Sequence, residues 1–278
     1  MKKLITRAIT GSAYVALIVA SLLLNSPILF VILFSVFTIL GLWEFHTLTN
    51  QNNNNKITSA LDIIGGLIMF LSVYWKMAHP ETGLEIIVPY LLYIITRNIY
   101  QLYNKTANLL SNWAYSFMGQ VFVALPLSLL NIIYIYHNPQ MLLAVFIFIW
   151  LNDTGAFCVG SLFWKNRLFE RISPKKSWEG FWGGLILCII SSIAFFHWGN
   201  SLFKGPELPV WIGLSIIVSI FSTWGDLCES LIKRSLGVKD SGNILPGHGG
   251  ILDRIDSLLL VSPSVLIYFC IISFFTFK

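Results

Sequence analysis

Nine apolar stretches punctuate this chain, at residues 8–24, 27–44, 58–75, 84–98, 113–135, 140–160, 179–198, 209–226 and 257–276. A helix needs roughly 20 apolar residues to cross the hydrocarbon of a bilayer. Inside hydrocarbon a backbone must satisfy its own N–H and C=O groups, so stretches of this kind can only be helices. Composition agrees: of 278 residues, 56% are hydrophobic and 11% charged, against about 25% charged in soluble domains. The expected fold is therefore all-α, a polytopic membrane protein of about nine transmembrane helices. The fourth stretch is the weakest, and Arg97–Asn112, which carries Tyr100 and Tyr103, reads as an interfacial elbow. Gly119 and Pro126 predict a kink within the fifth. The N-terminus is basic and then apolar, but no small-x-small cleavage site follows. It reads as a first membrane helix and not as a removable signal.

Lys and Arg set the orientation. With the N-terminus in the cytoplasm, the inner segments carry Lys2, Lys3, Arg7, Lys56, Arg97, Lys105, Lys165, Arg167, Arg171, Lys175, Lys176, Lys233, Arg234, Lys239 and Arg254, and the outer ones only Lys76, Lys204 and Lys278. Net charge is a modest +5, and no nucleic-acid partner is expected. Cys158, Cys188, Cys228 and Cys270 are widely spaced within or beside apolar runs, which reads as packing in a reducing setting. The Asn50–Asn55 tract reads as a solvated turn. No internal repeat of the kind that builds many transporters is visible.

The chemistry concentrates at Ser230–Asp256, which reads SLIKRSLGVKDSGNILPGHGGILDRID. Lys233, Arg234, Lys239, His248 and Arg254 alternate there with Asp240, Asp253, Asp256 and several glycines, between two apolar runs. Glycines let backbone N–H groups approach an anion, cations neutralise it, and carboxylates hold a hard divalent ion. Two further clusters share the same side of the membrane. Asn152 and Asp153 lie deep in the sixth apolar run, where an unpaired carboxylate costs about 3 kcal/mol or more. Ser173-Pro-Lys175-Lys176-Ser-Trp-Glu179 precedes the seventh, where Glu179 suits a helix N-terminus. Asp226 closes the eighth, and Asp253 and Asp256, three apart, open the ninth. Asp226, Asp253 and Asp256 are the candidate metal ligands, and Mg²⁺ is the expected ion because it pairs with carboxylate and phosphate oxygen.

The string S-x-x-K-R-x4-K-D-x-G-x2-L-P-x-H-G-G-x-x-D-R-x-D over Ser230–Asp256 resembles the signature of phosphatidate cytidylyltransferases, as does S-P-K-K-S-x-E-G at 173–180, with Ser177 in place of Thr. The resemblance covers residues 150–256. It implies transfer of a cytidylyl group from CTP to phosphatidate, giving CDP-diacylglycerol and pyrophosphate, with Mg²⁺ as cofactor. It implies catalytic or phosphate-binding roles for Asp226, Asp253, Lys233, Arg234, Lys239, Asp240, His248 and Arg254. Substrate contacts or support then fall to Asn152, Asp153, Ser173, Lys175, Lys176, Glu179 and Ser222. Partners are CTP, phosphatidate and membrane lipids, with a homodimer left open, in a bacterial inner membrane with the site facing the cytoplasm. Residues 1–139 form N-terminal helices with little chemical signal, and 140–278 the catalytic half. The competing reading is a multi-pass transporter with Asn152, Asp153 and Asp226 on an ion path. Against that, the charges cluster on one face instead of at the midplane. A CDP-alcohol phosphotransferase is disfavoured because its D-x2-D-G-x2-A-R pattern is absent.

Overall fold

The structure is a computed structural model that describes residues 2–49, 56–104, 108–163, 165–203, 206–244 and 249–276; His248 and the Asn50–Asn55 tract lie outside the described residues. Every expected apolar stretch falls on a helix. These are α1 (Lys2–Leu23), α2 (Pro27–Thr49), α3 (Lys56–Ala78), α4 (Val88–Tyr103), α5 (Leu109–Gly119) continuing into α6 (Leu125–Tyr136), α7 (Pro139–Phe163), α8 (Trp178–Trp198), α10 (Leu208–Ser235) and α12 (Leu258–Thr276). Among the described residues, seven helical segments are long and apolar enough to cross a membrane; α4, at 16 residues, is shorter. The remaining elements are an antiparallel hairpin of β1 (Arg167–Phe169) and β2 (Ser173–Ser177), and two short helices, α9 (Asn200–Phe203) and α11 (Leu252–Ile255). Asn25 and Asn138 adopt positive φ at the tight turns into α2 and α7, a conformation asparagine tolerates better than most residues. Asn138 Oδ1 also accepts from Met141 N at 2.8 Å, capping α7.

The chain divides into two compact units, Met1–Tyr136 with Asp240–Ile255, and His137–Lys239 with Asp256–Lys278. Residues 240–255, the glycine-rich part of the signature, thus group with the N-terminal helices.

In the first unit α3 packs against α2, α4 and α6. Phe30, Phe34 and Phe70 are fully buried, and Tyr134 stacks on Phe30 at 3.9 Å between ring centroids. A Cβ on Gly66 would meet Leu42 Cδ1 at 2.2 Å, so this contact depends on the missing side chain. Between α5 and α6 the helix widens into a π turn, Gln120–Ala124, which ends two residues before Pro126. The expected kink therefore takes the form of a wider turn.

Beside that turn lies a buried polar network that the sequence reading missed. Arg97, read above as a cytoplasmic loop cation, is 3% exposed. Its Nε donates to Asp62 Oδ1 at 3.0 Å and its Nη2 to Ser116 Oγ at 2.6 Å. Tyr93 Oη also donates to Asp62 Oδ1, at 2.9 Å, and Gln120 Nε2 donates to the Asp62 carbonyl at 2.7 Å. Buried His46 brings Nε2 to 3.6 Å from Asp62 Oδ2.

In the second unit α8 packs on α7 and α10, and α10 on α12. The α7–α8 crossing is glycine-lined. A Cβ on Gly155 would come within 2.9 Å of the Gly183 carbonyl, and one on Gly184 within 2.4 Å of Asn152 Oδ1. Without a strong hydrophobic force between helices in lipid, this close backbone packing is what holds them together. Phe148, Phe195, Phe203 and Trp211 form an aromatic cluster, with Phe195 and Phe203 stacked at 4.6 Å. The hairpin seats Leu168 and Ile172 on Leu227, and Phe169 meets Trp224 edge-on at 5.6 Å. It then delivers Ser177 as the N-cap of α8, where Oγ accepts from Gly180 N at 3.1 Å.

Candidate active site

Asp226 and Glu229 lie one turn apart on α10, and Asp256 lies between α11 and α12, two residues before α12 begins. Gly225 brings these backbones into contact: a Cβ there would lie 2.8 Å from the Asp256 carbonyl and 2.9 Å from that of Ser257. As a result one oxygen each from Asp226, Glu229 and Asp256 falls within 4.8 Å of the others. Lys176 Nζ sits 2.6 Å from Asp226 Oδ2 and 3.4 Å from the Thr223 carbonyl. Lys233, one turn beyond Glu229, pairs with its carboxylate. Ser230 Oγ donates to Asp226 Oδ1 at 3.2 Å, and Ser257 N to Asp256 Oδ1 at 2.6 Å. Three carboxylates thus face two ammonium groups, and Glu229 is 1% exposed. Like charges so close call for a cation between them. An all-oxygen set of this kind suits a hard divalent ion.

A cavity of about 500 Å³ opens beside Lys176. Asn152 and Asp153 of α7, Ser173 and Lys175 of the hairpin, and Phe157 and Phe181 line it, so five of the expected substrate-binding residues converge there once Lys176 is counted. Lys175 and Asp153 are exposed to it, and Asn152 is buried in its wall. Asn152 Oδ1 accepts from Ser219 Oγ at 2.6 Å, and its Nδ2 donates to Thr223 Oγ1 at 3.3 Å, which ties α7 to α10. The lining therefore combines two lysines, an amide and the Asp153 carboxylate with aromatic rings, a mixture suited to an amphiphilic ligand with a charged end. Glu179 is turned elsewhere. Its carboxylate accepts from Asn166 N at 3.2 Å and Asn166 Nδ2 at 2.8 Å, holding the turn before the hairpin. Arg234 likewise has a local task, its Nε donating to the Ile172 carbonyl at 3.3 Å. Ser222 is fully buried, and its carbonyl accepts from Ser257 Oγ at 3.3 Å.

In the first unit the signature loop is built around two carboxylates. Asp253 Oδ2 accepts from Ser241 N at 3.0 Å and Gly250 N at 2.8 Å, closing the loop on itself. Gly249 makes this possible with φ of +81°. Glu44 of α2, 1% exposed, reaches into the same loop. It accepts from Ser241 Oγ at 3.1 Å, Ile251 N at 3.0 Å and Leu252 N at 2.7 Å. A Cβ on Gly250 would come within 2.2 Å of Glu44 Oε2, so the glycine makes room for the acid. Tyr14 Oη holds the Arg254 carbonyl at 3.0 Å. Lys239, Asp240 and Arg254 are exposed.

Within the second unit the structure thus gathers Asp226 and Asp256 with Glu229; within the first, Asp253 accepts from the main chain of its own loop. Glu229 and Glu44 were missed. Glu229 had a readable signal, since it stands three residues after Asp226 and four before Lys233. Glu44 is a lone acid ending an otherwise apolar run, which by itself marks a paired site.

The sequence profile of the Cytidylyltransferase family matches residues 5–272. The phosphatidate cytidylyltransferase of Haemophilus influenzae is 33% identical over 276 residues, covering 92% of this chain and 95% of that protein. The proteins of the same name from Staphylococcus aureus strain COL and Staphylococcus epidermidis strain RP62A are each 34% identical, covering 91% of this chain and 95% of theirs. With the family profile spanning nearly the whole chain and these relatives 33–34% identical over more than nine-tenths of it, the chain belongs to the cytidylyltransferase family.

Proposed function

We propose that the protein joins CTP to phosphatidate in phospholipid biosynthesis, releasing pyrophosphate and leaving CDP-diacylglycerol in the membrane. A phosphate oxygen of phosphatidate attacks the α-phosphorus of CTP. The bond from that phosphorus to the bridging oxygen of the β-phosphate breaks, and the electron pair leaves with pyrophosphate. The attacking group is already an anion, so no protein nucleophile is needed, and catalysis rests on positioning and charge neutralisation. The observation that carries this reading is the Lys176–Asp226 pair, which joins a cation-bearing amphiphile cavity to a three-carboxylate cluster.

Lys175 and Lys176 hold the phosphate of phosphatidate at the polar part of the cavity, and Phe157 and Phe181 accept the start of its acyl chains. Asn152, fixed by Ser219 and Thr223, orients that end of the lipid. Asp226, Glu229 and Asp256 would hold Mg²⁺, which when bound supplies positive charge to phosphate oxygens. Lys233 steadies Glu229 within that set. Exposed Lys239 and Arg254, with His248, are assigned to the CTP phosphates, and Glu44 and Asp253 give the loop its shape. The positive-inside bias supports a cytoplasmic face for the site, within a bacterial inner membrane.

The test is pyrophosphate release by the purified protein given phosphatidate and CTP, ATP or GTP, with Mg²⁺ or with EDTA. Product from CTP alone, lost with EDTA and restored by Mg²⁺, is the expected result. CDP-diacylglycerol formed undiminished in EDTA would remove the metal role, and silence with all three nucleotides would remove the reaction.

A further inference from the structure

The first unit holds two polar features apart from the metal candidate. One is a cavity of about 410 Å³ beside the Asp62–Arg97 network, walled by Trp113 and Phe117. Its one charged lining residue, Arg97, is already paired with Asp62. The other is Glu44, and it bears on the reaction.

Glycines in the signature were expected to free main-chain N–H groups for phosphate. In the structure four of those groups are taken by carboxylates. Ser241 N and Gly250 N donate to Asp253, and Ile251 N and Leu252 N donate to Glu44. Gly242 and Gly250 make room for Glu44. A Cβ on Gly242 would lie 2.7 Å from Glu44 Oε1, and one on Gly250 would overlap Oε2. The glycines thus admit an acid of the protein itself, and phosphate recognition on this loop falls to side chains.

A carboxylate buried at the end of an apolar helix is costly unless hydrogen-bonded. It has one property an amide lacks, since both its oxygens accept. Glu44 Oε1 takes Ile251 N, and Oε2 takes Leu252 N and Ser241 Oγ. A glutamine in either orientation would set its NH₂ group against one of those main-chain donors. Ile251 and Leu252 lead into α11, whose third residue is Arg254, and Arg254 N donates to the Ile251 carbonyl at 2.9 Å. What fixes Ile251 and Leu252 therefore fixes the turn that carries Arg254.

We infer that Glu44 is a positioning residue for nucleotide binding, acting from α2 through the main chain of α11 to present Arg254 to the CTP phosphates. This rests on the assignment of the loop to CTP made above.

The experiment is initial-rate kinetics on the full chain in mixed micelles, with Arg254→Ala as the control on that assignment. Glu44→Gln should raise the KM for CTP on the order of tenfold, with the KM for phosphatidate and kcat per folded molecule close to the parent's. The CTP concentration that gives half of the nucleotide's thermal shift should rise by the same factor. Gly242→Ala, which keeps the acid and crowds it, should reproduce the defect, and it decides the matter if Glu44→Gln fails to fold. Glu44→Asp draws the carboxylate back from the added methyl, so the Glu44→Asp, Gly242→Ala pair should fall short of the product of its single defects. Single defects that multiply would mean that the acid and the loop act independently, which overturns the inference. An unchanged KM for CTP in Glu44→Gln and Gly242→Ala, beside a raised one in Arg254→Ala, also overturns it and leaves the loop's assignment standing. Equal losses for CTP and phosphatidate would reduce Glu44 to general support of the fold. Arg254→Ala without effect on CTP would remove the assignment, and the inference with it.

Discussion

The two cavities are similar in size, about 410 and 500 Å³, and both join polar groups to aromatic walls. They treat charge in opposite ways. In the first unit Asp62 and Arg97 meet at 3.0 Å, both nearly sealed from solvent, and spend their charge on each other. In the second, Lys176 and Asp226 meet at 2.6 Å but keep 26% and 32% of their side chains exposed, with Lys175 and Asp153 close by on the cavity lining. A sealed pair stabilises or specifies a fold, whereas an open pair can be parted by an arriving phosphate or metal. The same residue types therefore do different work according to access.

Substitutions can break this contrast. The largest effect is expected at Asp226→Asn, which should lower kcat by on the order of 10³-fold. The thermal midpoint in detergent should stay near that of the parent, because the group is partly exposed. CDP-diacylglycerol formation from labelled CTP measures the first, and a thermal melt the second. Asp62→Asn should show the reverse. Leaving Arg97 buried without its counter-charge is expected to cost about 3–5 kcal/mol of stability, while kcat per folded molecule changes little. A folded but inactive Asp62→Asn protein would show that the Asp62–Arg97 network itself takes part in the chemistry, and the contrast would fail.

Lys176→Ala comes next, with a loss of about 10²-fold in kcat/KM. The KM for phosphatidate should rise more than that for CTP, a split that initial-rate kinetics in mixed micelles resolve. Equal effects on the two substrates would move Lys176 off the lipid. The smallest effect belongs to Ser177→Ala. Removing the α8 cap should cost about 1 kcal/mol of stability, seen as a lower melting temperature with kinetics otherwise retained.

Much of this was legible in the residues. The nine apolar runs located the helices because hydrocarbon leaves the backbone no alternative. The clusters at Asn152–Asp153 and Ser173–Lys176 announced themselves by charge where charge is expensive, and they now line one cavity. What escaped was pairing across sequence distance. Asp62 reads as one more polar residue until α4 and α5 bring Arg97 and Ser116 to it, 35 and 54 positions away. Glu44 and Leu252 are 208 positions apart, and no local pattern links them. Asp253 and Glu229 show a subtler limit. Spacing finds acids able to share a helix face, but which main-chain N–H groups a carboxylate such as Asp253 accepts is set by the path of the loop in three dimensions.

Gly225 has a consequence for ion choice. Its bare Cα lets α10 touch the main chain at Asp256 and Ser257. The separation of Asp226 from Asp256 is then set by two backbones in van der Waals contact and not by flexible side chains alone. Such a frame resists expansion. Mg²⁺ binds oxygen at about 2.0–2.1 Å and Ca²⁺ at about 2.3–2.6 Å with more ligands, so for the metal site proposed above the expected outcome is preference for the smaller ion, read from activity with each ion in turn. A single added methyl at position 225 would then act as a spacer, widening the frame and shifting that preference without touching a ligand.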